Sequence, residues 1–357
     1  MSDKIRVIVV GCGNMGSSHA RAYKALDGFE LVGLVARTSL RRSPLAKELG
    51  GIPEFDTLRK AIIETQPDAA AICTYPDTHY EFTRTCLEAG MHVFVEKPLA
   101  ETVDQAKEIV YLAKQKNKKV VVGYILRHHP AWKQFVEEAR ALGKPLVMRM
   151  NLNQQSKGKE WETHKNLMKS MSPIVDCGVH YVDIMCQMTR CKPIRVHAIG
   201  ARLSQEVSSE MYNYGQLQVV FEDGSVGWYE AGWGPMMSQV AFFVKDVIGP
   251  NGCVSIVEPQ AATEAASSDI DSHTKTNSLL KHLAEVDEQG NFVHRDVLID
   301  TSDEPDHQEL CNREQAYFLK VIQEDLDLTD HLEDAINSLR IVLAADESVR
   351  SGRVVYL

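Results

Sequence analysis

Directly behind a short apolar strand, Ile5–Val10, the chain reads Gly11-Cys12-Gly13-Asn14-Met15-Gly16, and a helical stretch follows. Strand, G-x-G-x-x-G and helix in that order form a dinucleotide-binding turn in which each glycine has a physical task. Gly11 permits the tight turn, Gly13 lets the backbone approach a pyrophosphate, and Gly16 allows helix and strand to pack closely. Asn14 and Met15 complete the turn. The diphosphate would sit on the free N–H groups at the helix start, where the macrodipole favours negative charge.

The stretch up to about residue 124 keeps the rhythm that such a turn requires. Strand candidates at Ile5–Val10, Leu31–Ala36, Ala69–Cys73, His92–Val95 and Val120–Gly123 alternate with helical candidates at His19–Leu26, Thr57–Glu64, Tyr80–Ala89 and Val103–Lys116. Strands that are apolar on nearly every residue suit a parallel sheet covered on both faces. The pattern predicts a doubly wound α/β domain over 1–124, with ligands at the carboxyl ends of its strands.

The pattern then changes. A helix at Ala131–Leu142 precedes longer strand-like segments at Pro145–Asn153, Ile194–Leu203, Gln216–Phe221, Ser225–Trp233 and Val240–Gly249, with an Asp223-Gly224 hairpin signal between two of them. Residues 125–357 are therefore expected to form an α+β domain with a large, mostly antiparallel open sheet and helices on one face. The polar stretch Pro259–Asp287 reads as an irregular insertion or long loop. Helices return at Gln308–Glu324 and His331–Ser351, and Val354–Leu357 suits a closing strand.

A chain of 357 residues with net charge −10 has room for two cores but no broad basic surface, which argues against nucleic-acid binding. No apolar run reaches membrane length. Eight cysteines without a C-x-x-C pair suit reduced thiols in a cytoplasmic protein.

Two clusters could carry chemistry. Thr74-Tyr75-Pro76-Asp77-Thr78-His79 and Glu96-Lys97-Pro98 both follow predicted buried strands. Lys97 at the end of such a strand must find a charge partner or a ligand; a structural Lys97–Glu96 pair is the plain alternative. On a helix, Asp176, His180 and Asp183 fall at i, i+4 and i+7 and would share one face. That face could line a cleft or be a surface network. Asp and His at this spacing could also begin a metal site, but no third strong ligand is evident and hydride chemistry needs none, so no metal is assigned.

With these motifs in order, the chain resembles the Gfo/Idh/MocA family of NAD(P)-dependent sugar and polyol oxidoreductases over nearly its whole length. The resemblance is carried by the Gly11–Gly16 turn, Pro76 and His79, Glu96-Lys97-Pro98, the Asp176/His180 pair and Ala344-Ala345…Ser348…Gly352…Val355. It implies a Rossmann domain followed by an α/β domain whose open sheet walls the active site and often serves as an oligomer interface, hence a homodimer or homotetramer. By position it makes Lys97 a catalytic lysine, and Asp176 and His180 a substrate-binding and proton-transfer pair. It sets Thr74, Tyr75 and Pro76 beside the nicotinamide ribose, with Glu96 approaching the same ribose and His79 in the same cofactor-binding segment. One departure is Ser170-Met171-Ser172-Pro173, where the family often has glycines.

The expected reaction is reversible oxidation of a secondary alcohol on a sugar, sugar derivative or cyclic polyol. His180 would act as base, Lys97 would stabilise the developing oxyanion, and Asp176 would anchor a neighbouring hydroxyl. Further candidates for substrate contact are Arg127 at the domain junction, beside Tyr124, His128 and His129, and Trp161 and His164, beside Lys165, in the loop expected to follow; each could equally be structural. After the second strand, Arg37 stands where a ribose-binding carboxylate is expected, with Thr38, Arg41 and Arg42 nearby, which favours NADP over NAD. The alternative is Arg37 stacked on adenine with Arg41 and Arg42 in water. Competing functions are a glycosidase with an internal oxidation–reduction cycle and a non-catalytic dinucleotide sensor.

Overall fold

The computed structural model describes residues 4–238, 244–257 and 274–357. The chain forms two compact units, Met1–Ile125 with Asp306–Ile336, and Leu126–Pro305 with Asn337–Leu357. The first begins β1 (Ile5–Val10), α1 (Asn14–Ala25), β2 (Phe29–Val35), α2 (Ser39–Glu48), β3 (Glu54–Phe55), α3 (Leu58–Thr65) and β4 (Ala69–Ile72). It continues with α4 (His79–Glu88), β5 (His92–Glu96), α5 (Val103–Lys116) and β6 (Val120–Gly123). All six strands pair in parallel in the order β3-β2-β1-β4-β5-β6, a doubly wound sheet. Val10 is in register with Val35 and Ile72, and Ile72 with Val95. The Gly11 turn, the Arg37 segment, the Thr74 segment and Lys97 thus all leave the sheet at one end, around the β1/β4 reversal of strand order.

Two elements here escape the alternating pattern. Helix α2 carries Pro44 inside it and buries only Leu45 and Ala46, so its sequence lacks an apolar stripe. Strand β3 is two residues long. Helix α1 also starts at Asn14, directly on the glycine turn, rather than at His19.

The second unit contains α6 (Pro130–Ala141), β7 (Val147–Gln155), α7 (Gly158–Leu167), α8 (Pro173–Asp176), α9 (Gly178–Thr189), β8 (Pro193–Ala201), β9 (Tyr214–Phe221) and β10 (Val226–Gly234). Strands β11 (Lys245–Gly249), β12 (Gly252–Val257), β13 (Ser278–Leu283) and β14 (Val297–Asp300) follow. With β15 (Val355–Tyr356) they build a nine-stranded sheet, β14-β13-β12-β11-β7-β10-β9-β8-β15, in which only the β7–β10 neighbours are parallel. The Asp223-Gly224 signal is a tight turn: Gly224 has φ +83°, and Asp223 Oδ1 accepts the Ser225 N–H at 2.9 Å. Helices α6 and α9 pack on one face of the sheet through Tyr181, stacked 5.0 Å from Tyr229, and Trp132, 5.8 Å from Tyr181.

Three expectations are corrected in this unit. The loop expected at Trp161, His164 and Lys165 is helix α7; its mixed polar composition gives it no clear stripe. The stretch 259–287 is not wholly irregular, because Ser278–Leu283 is a strand paired with β12 and β14; residues 258–273 lie outside the described residues, as do 239–243 of the strand expected at Val240–Gly249. The helix expected to run through Asp176 and His180 is broken at Cys177 into α8 and α9.

Helix α10 (His307–Gln323) and the start of α11 (Thr329–Ser351) belong to the first unit. Asp306–Ile336, assigned by sequence to the second domain, thereby groups with the nucleotide-binding sheet. Phe318 and Val321 are fully buried in one core with Tyr23, Phe29 and Phe94, each worth about 1.5–3 kcal/mol of burial. Gly28 meets α10 so closely that a Cβ there would lie 2.4 Å from Leu319. The rest of α11 belongs to the second unit, where Ser348 Oγ accepts the Ala198 N–H at 2.9 Å.

Candidate active site

The glycine turn in the first unit has the form its spacing predicts. Gly11 has φ +96°, and a Cβ there would stand 2.3 Å from the Cys73 carbonyl oxygen; a Cβ on Gly16 would stand 1.9 Å from Gly11 O. Gly13 opens α1 with no side-chain cap. A Cβ on Gly13 would find only Arg41 Nη1 within 4 Å, at 3.9 Å. Apart from that guanidinium the described residues leave Gly13 open, and the first N–H groups of α1, with no side-chain cap, are available to an anion. These residues fit a dinucleotide diphosphate.

The post-β2 arginines divide into two kinds. Arg37 and Arg41 are exposed, as is Thr38. Arg42 is committed to the protein, donating to Glu54 Oε2 at 2.9 Å, to Phe55 O at 2.8 Å and to Ala36 O. It neither faces water nor reaches for a ligand; it fastens the end of β2 to β3.

Beyond β4, Thr78 Oγ1 donates to Thr74 Oγ1 at 2.7 Å and Tyr75 is exposed, while Pro76 opens a short 3₁₀ turn. His79 is fully buried, with Nδ1 2.7 Å from Pro98 O and Nε2 3.1 Å from Thr74 O. Its ring ties the turn after β4 to the one after β5. Burial pushes its pKa down, against the pull of those two carbonyls. Lys97, on the next turn, is half-buried.

Glu96 is buried, and its Oε1 lies 2.8 Å from His19 Nε2. Burial alone would raise its pKa, but the His19 hydrogen bond and the nearby Lys97 charge outweigh that and hold it below the usual range. His19 Nδ1 is in turn 2.9 Å from Gln315 Nε2, and Gln315 Oε1 accepts from Tyr23 at 2.5 Å. His19, Tyr23 and Gln315 were not legible as a network, although a histidine just after the glycine turn and the polar Glu314-Gln315 pair between the apolar positions Leu310 and Phe318 were its traces.

In the second unit, Asp176 ends α8 and His180 lies in the first turn of α9. Gly178 lets α9 begin against β10, since a Cβ there would stand 2.8 Å from the Tyr229 ring. Ser172 caps α8 by accepting the Val175 N–H at 3.2 Å, and its own hydroxyl donates to Asp346 Oδ1 at 2.7 Å. The serine that departs from the family's glycine pattern is thus an anchor for the Asp176 turn. Cys177 Sγ lies 3.5 Å from Asp176 Oδ2 and 3.7 Å from Gln154 Oε1, which also accepts from Trp233 Nε1 at 2.9 Å. Gln154 was missed; its only trace is a polar end to an apolar strand.

Asp183 does not join Asp176 and His180 on a cleft wall. It is buried and grips Arg127 through Nε–Oδ2 at 2.8 Å and Nη2–Oδ1 at 2.5 Å. Arg127, only partly buried, is thus held in place by Asp183. Trp161 packs with Met168, Val207 and Trp233, its Nε1 donating to Glu206 at 3.1 Å. His164 stacks on Trp233 at 4.4 Å and 8°. Burial lowers its pKa, opposed by the charges of Asp176 and Glu160. His128 is buried, and its pKa is pushed down to about 3 by burial and the charges of Lys133 and Arg127.

Residues 5–124 match the description "Oxidoreductase family, NAD-binding Rossmann fold" and residues 132–244 the "GFO/IDH/MocA C-terminal domain". The chain belongs to the GFO/IDH/MocA oxidoreductase family. It is 26% identical over 198 residues to UDP-N-acetylglucosamine 3-dehydrogenase of Acidithiobacillus ferrooxidans, covering 55% of this chain and 58% of that protein. It is 29% identical over 188 residues to D-glucoside 3-dehydrogenase of Escherichia coli strain K12, covering 51% and 53%. The matches thus span little more than half of these curated relatives. In fold, it is similar to scyllo-inositol dehydrogenase from Lactobacillus casei, solved with NAD(H) and scyllo-inositol, with TM-score 0.76, 19% identity and 99% of each chain covered. Among the described residues, no helix is long and apolar enough to cross a membrane.

Proposed function

We propose that this chain is an NAD(P)-dependent dehydrogenase acting on a secondary alcohol of a sugar, sugar derivative or cyclic polyol. The observation that carries the reading is the open glycine cradle on an uncapped helix start, in a chain whose relatives are named for sugar and inositol oxidation. The unit of Met1–Ile125 with Asp306–Ile336 is assigned to the cofactor, and that of Leu126–Pro305 with Asn337–Leu357 to substrate and self-association.

The bound nicotinamide would supply the acceptor or donor of hydride. The N–H groups of Asn14, Met15 and Gly16 would hold its diphosphate. Thr74, Tyr75, Pro76 and Glu96 would border the ribose, with His79 acting through the turn it locks. His180 takes the hydroxyl proton, since an imidazole titrates near working pH. Lys97 Nζ donates to the same oxygen and stabilises its negative charge. Asp176 accepts a hydrogen bond from a neighbouring hydroxyl and orients the ring.

Exposed Arg37 and Arg41, with Thr38 between them, support NADP as the preferred cofactor. Arg37→Asp should shift the preference toward NAD, and an unchanged NADP/NAD ratio of kcat/KM would remove this argument. Self-association is supported by exposed Val147, Val226 and Ile248, cross-strand neighbours on β7, β10 and β11. Light scattering would reveal it as twice or four times the chain mass.

A spectroscopic screen of sugars and cyclic polyols with both oxidised cofactors tests the whole reading. Reduced nicotinamide should accumulate with turnover, and His180→Ala should lower kcat about 10²–10⁴-fold while cofactor affinity survives. Near-normal turnover in that variant would reject His180 as the base.

A further inference from the structure

Behind the glycine turn, three buried side chains converge that the proposed reaction does not use. His19 of α1, and Cys311 and Glu314 of α10, offer one nitrogen, one sulfur and one oxygen that all lie within 4.8 Å of one another. Cys311 and Glu314 stand at i and i+3, one above the other on a single helix face. We infer that His19, Cys311 and Glu314 form a buried site for a divalent cation of the zinc class.

Glu314 is the group that demands a ligand. It is almost completely buried, and among the described residues nothing lies within hydrogen-bonding reach of either carboxyl oxygen. Burial and the nearby charge of Glu96 push its pKa well up. A proton alone answers the charge but supplies no partner for the O–H and the carbonyl oxygen it leaves among the buried side chains. A cation satisfies the carboxylate directly.

Charge and ligand type both suit such an ion. A neutral imidazole, a thiolate and a carboxylate sum to −2 and neutralise a divalent ion, so the loaded site adds no net charge to the core. His19 is already oriented in the usual way of a metal-bound histidine, with one nitrogen against a carboxylate, Glu96 Oε1 at 2.8 Å. The other nitrogen would exchange its contact with Gln315 Nε2 for the ion. Cys311 would likewise turn from His307 Nε2, 3.6 Å away. The fourth position falls to water. Binding converts the thiol and the carboxylic acid to anions, so each ion taken up displaces two protons and no electrons move.

The test uses the full chain, stripped with a chelator and titrated with Zn²⁺ and Co²⁺. Calorimetry in two buffers of different ionisation enthalpy should show one ion bound and about two protons released. The loaded chain should melt at higher temperature. Co²⁺ should give a thiolate charge-transfer band that Cys311→Ala abolishes and Cys253→Ala keeps. Glu314→Gln, which preserves shape, should weaken binding at least tenfold and so provides a second reading if Cys311→Ala fails to fold. Absence of a bound ion, a band that survives Cys311→Ala, or equal affinity in Glu314→Gln would overturn the site and leave Glu314 a buried neutral acid.

Discussion

Replacing Asp183 by Ala isolates the ion pair that holds Arg127. Side-chain exposure is 1% at Asp183 and 12% at Arg127, so the guanidinium left behind would have almost no water to replace its partner. Two charge-assisted hydrogen bonds and a third from Gln187 Nε2 at 3.0 Å are lost together. Breaking a buried pair from one side costs about 3–5 kcal/mol. At about 2–4 °C per kcal/mol for a unit of this size, the melting temperature should fall by about 6–20 °C. The double variant Arg127→Met with Asp183→Leu removes both charges and should recover most of that loss, because an apolar pair of similar volume is often neutral or better. Urea melts of the wild type, Arg127→Met, Asp183→Leu and the double variant close the cycle. A double variant as unstable as Asp183→Ala would refute the reasoning. A folded double variant with a raised KM for its alcohol would place Arg127 at the substrate.

Gly16→Ala places a Cβ 1.9 Å from Gly11 O, so dinucleotide affinity should drop below detection in a fluorescence titration; binding within tenfold of wild type would contradict the cradle. His79→Phe keeps an aromatic ring but leaves Pro98 O and Thr74 O without their contacts, costing about 1–3 kcal/mol per unsatisfied group and weakening the cofactor more than the alcohol in steady-state kinetics. Burial holds the His128 pKa down to about 3, so the unfolded chain takes up a proton below about pH 6.5 that the folded chain refuses. This stability is complete above about pH 6.5 and lost as pH falls toward 3, by up to about 1.4 kcal/mol per pH unit. His128→Asn should flatten that limb of the denaturation profile, and an unchanged slope would count against it.

The nucleotide-binding half was legible because its signals are local. A glycine turn, five apolar strands and the residues that end them are each written in a few consecutive positions, and a parallel sheet then aligns their ends. What escaped depends on contacts between distant segments. Arg127 and Asp183 are 56 residues apart, and no periodicity says that one will consume the other. The i, i+4, i+7 spacing counted correctly, but the break at Cys177 and the burial of Asp183 come from packing against the sheet. Helix α7 and strand β13 are polar enough to read as loops, and they are ordered by what lies beneath them. Arg42 read as a ligand-facing cation or a solvated one, yet Glu54 on a two-residue strand claims it.

Because Phe318 and Val321 complete the core around Tyr23 and Phe29, the nucleotide-binding half cannot finish folding as it is synthesised. Its first 125 residues must wait, with an apolar gap beside α1, until nearly the entire message has been translated. A recombinant fragment ending there would expose that gap and be expected to aggregate, whereas one that splices α10 back on would not.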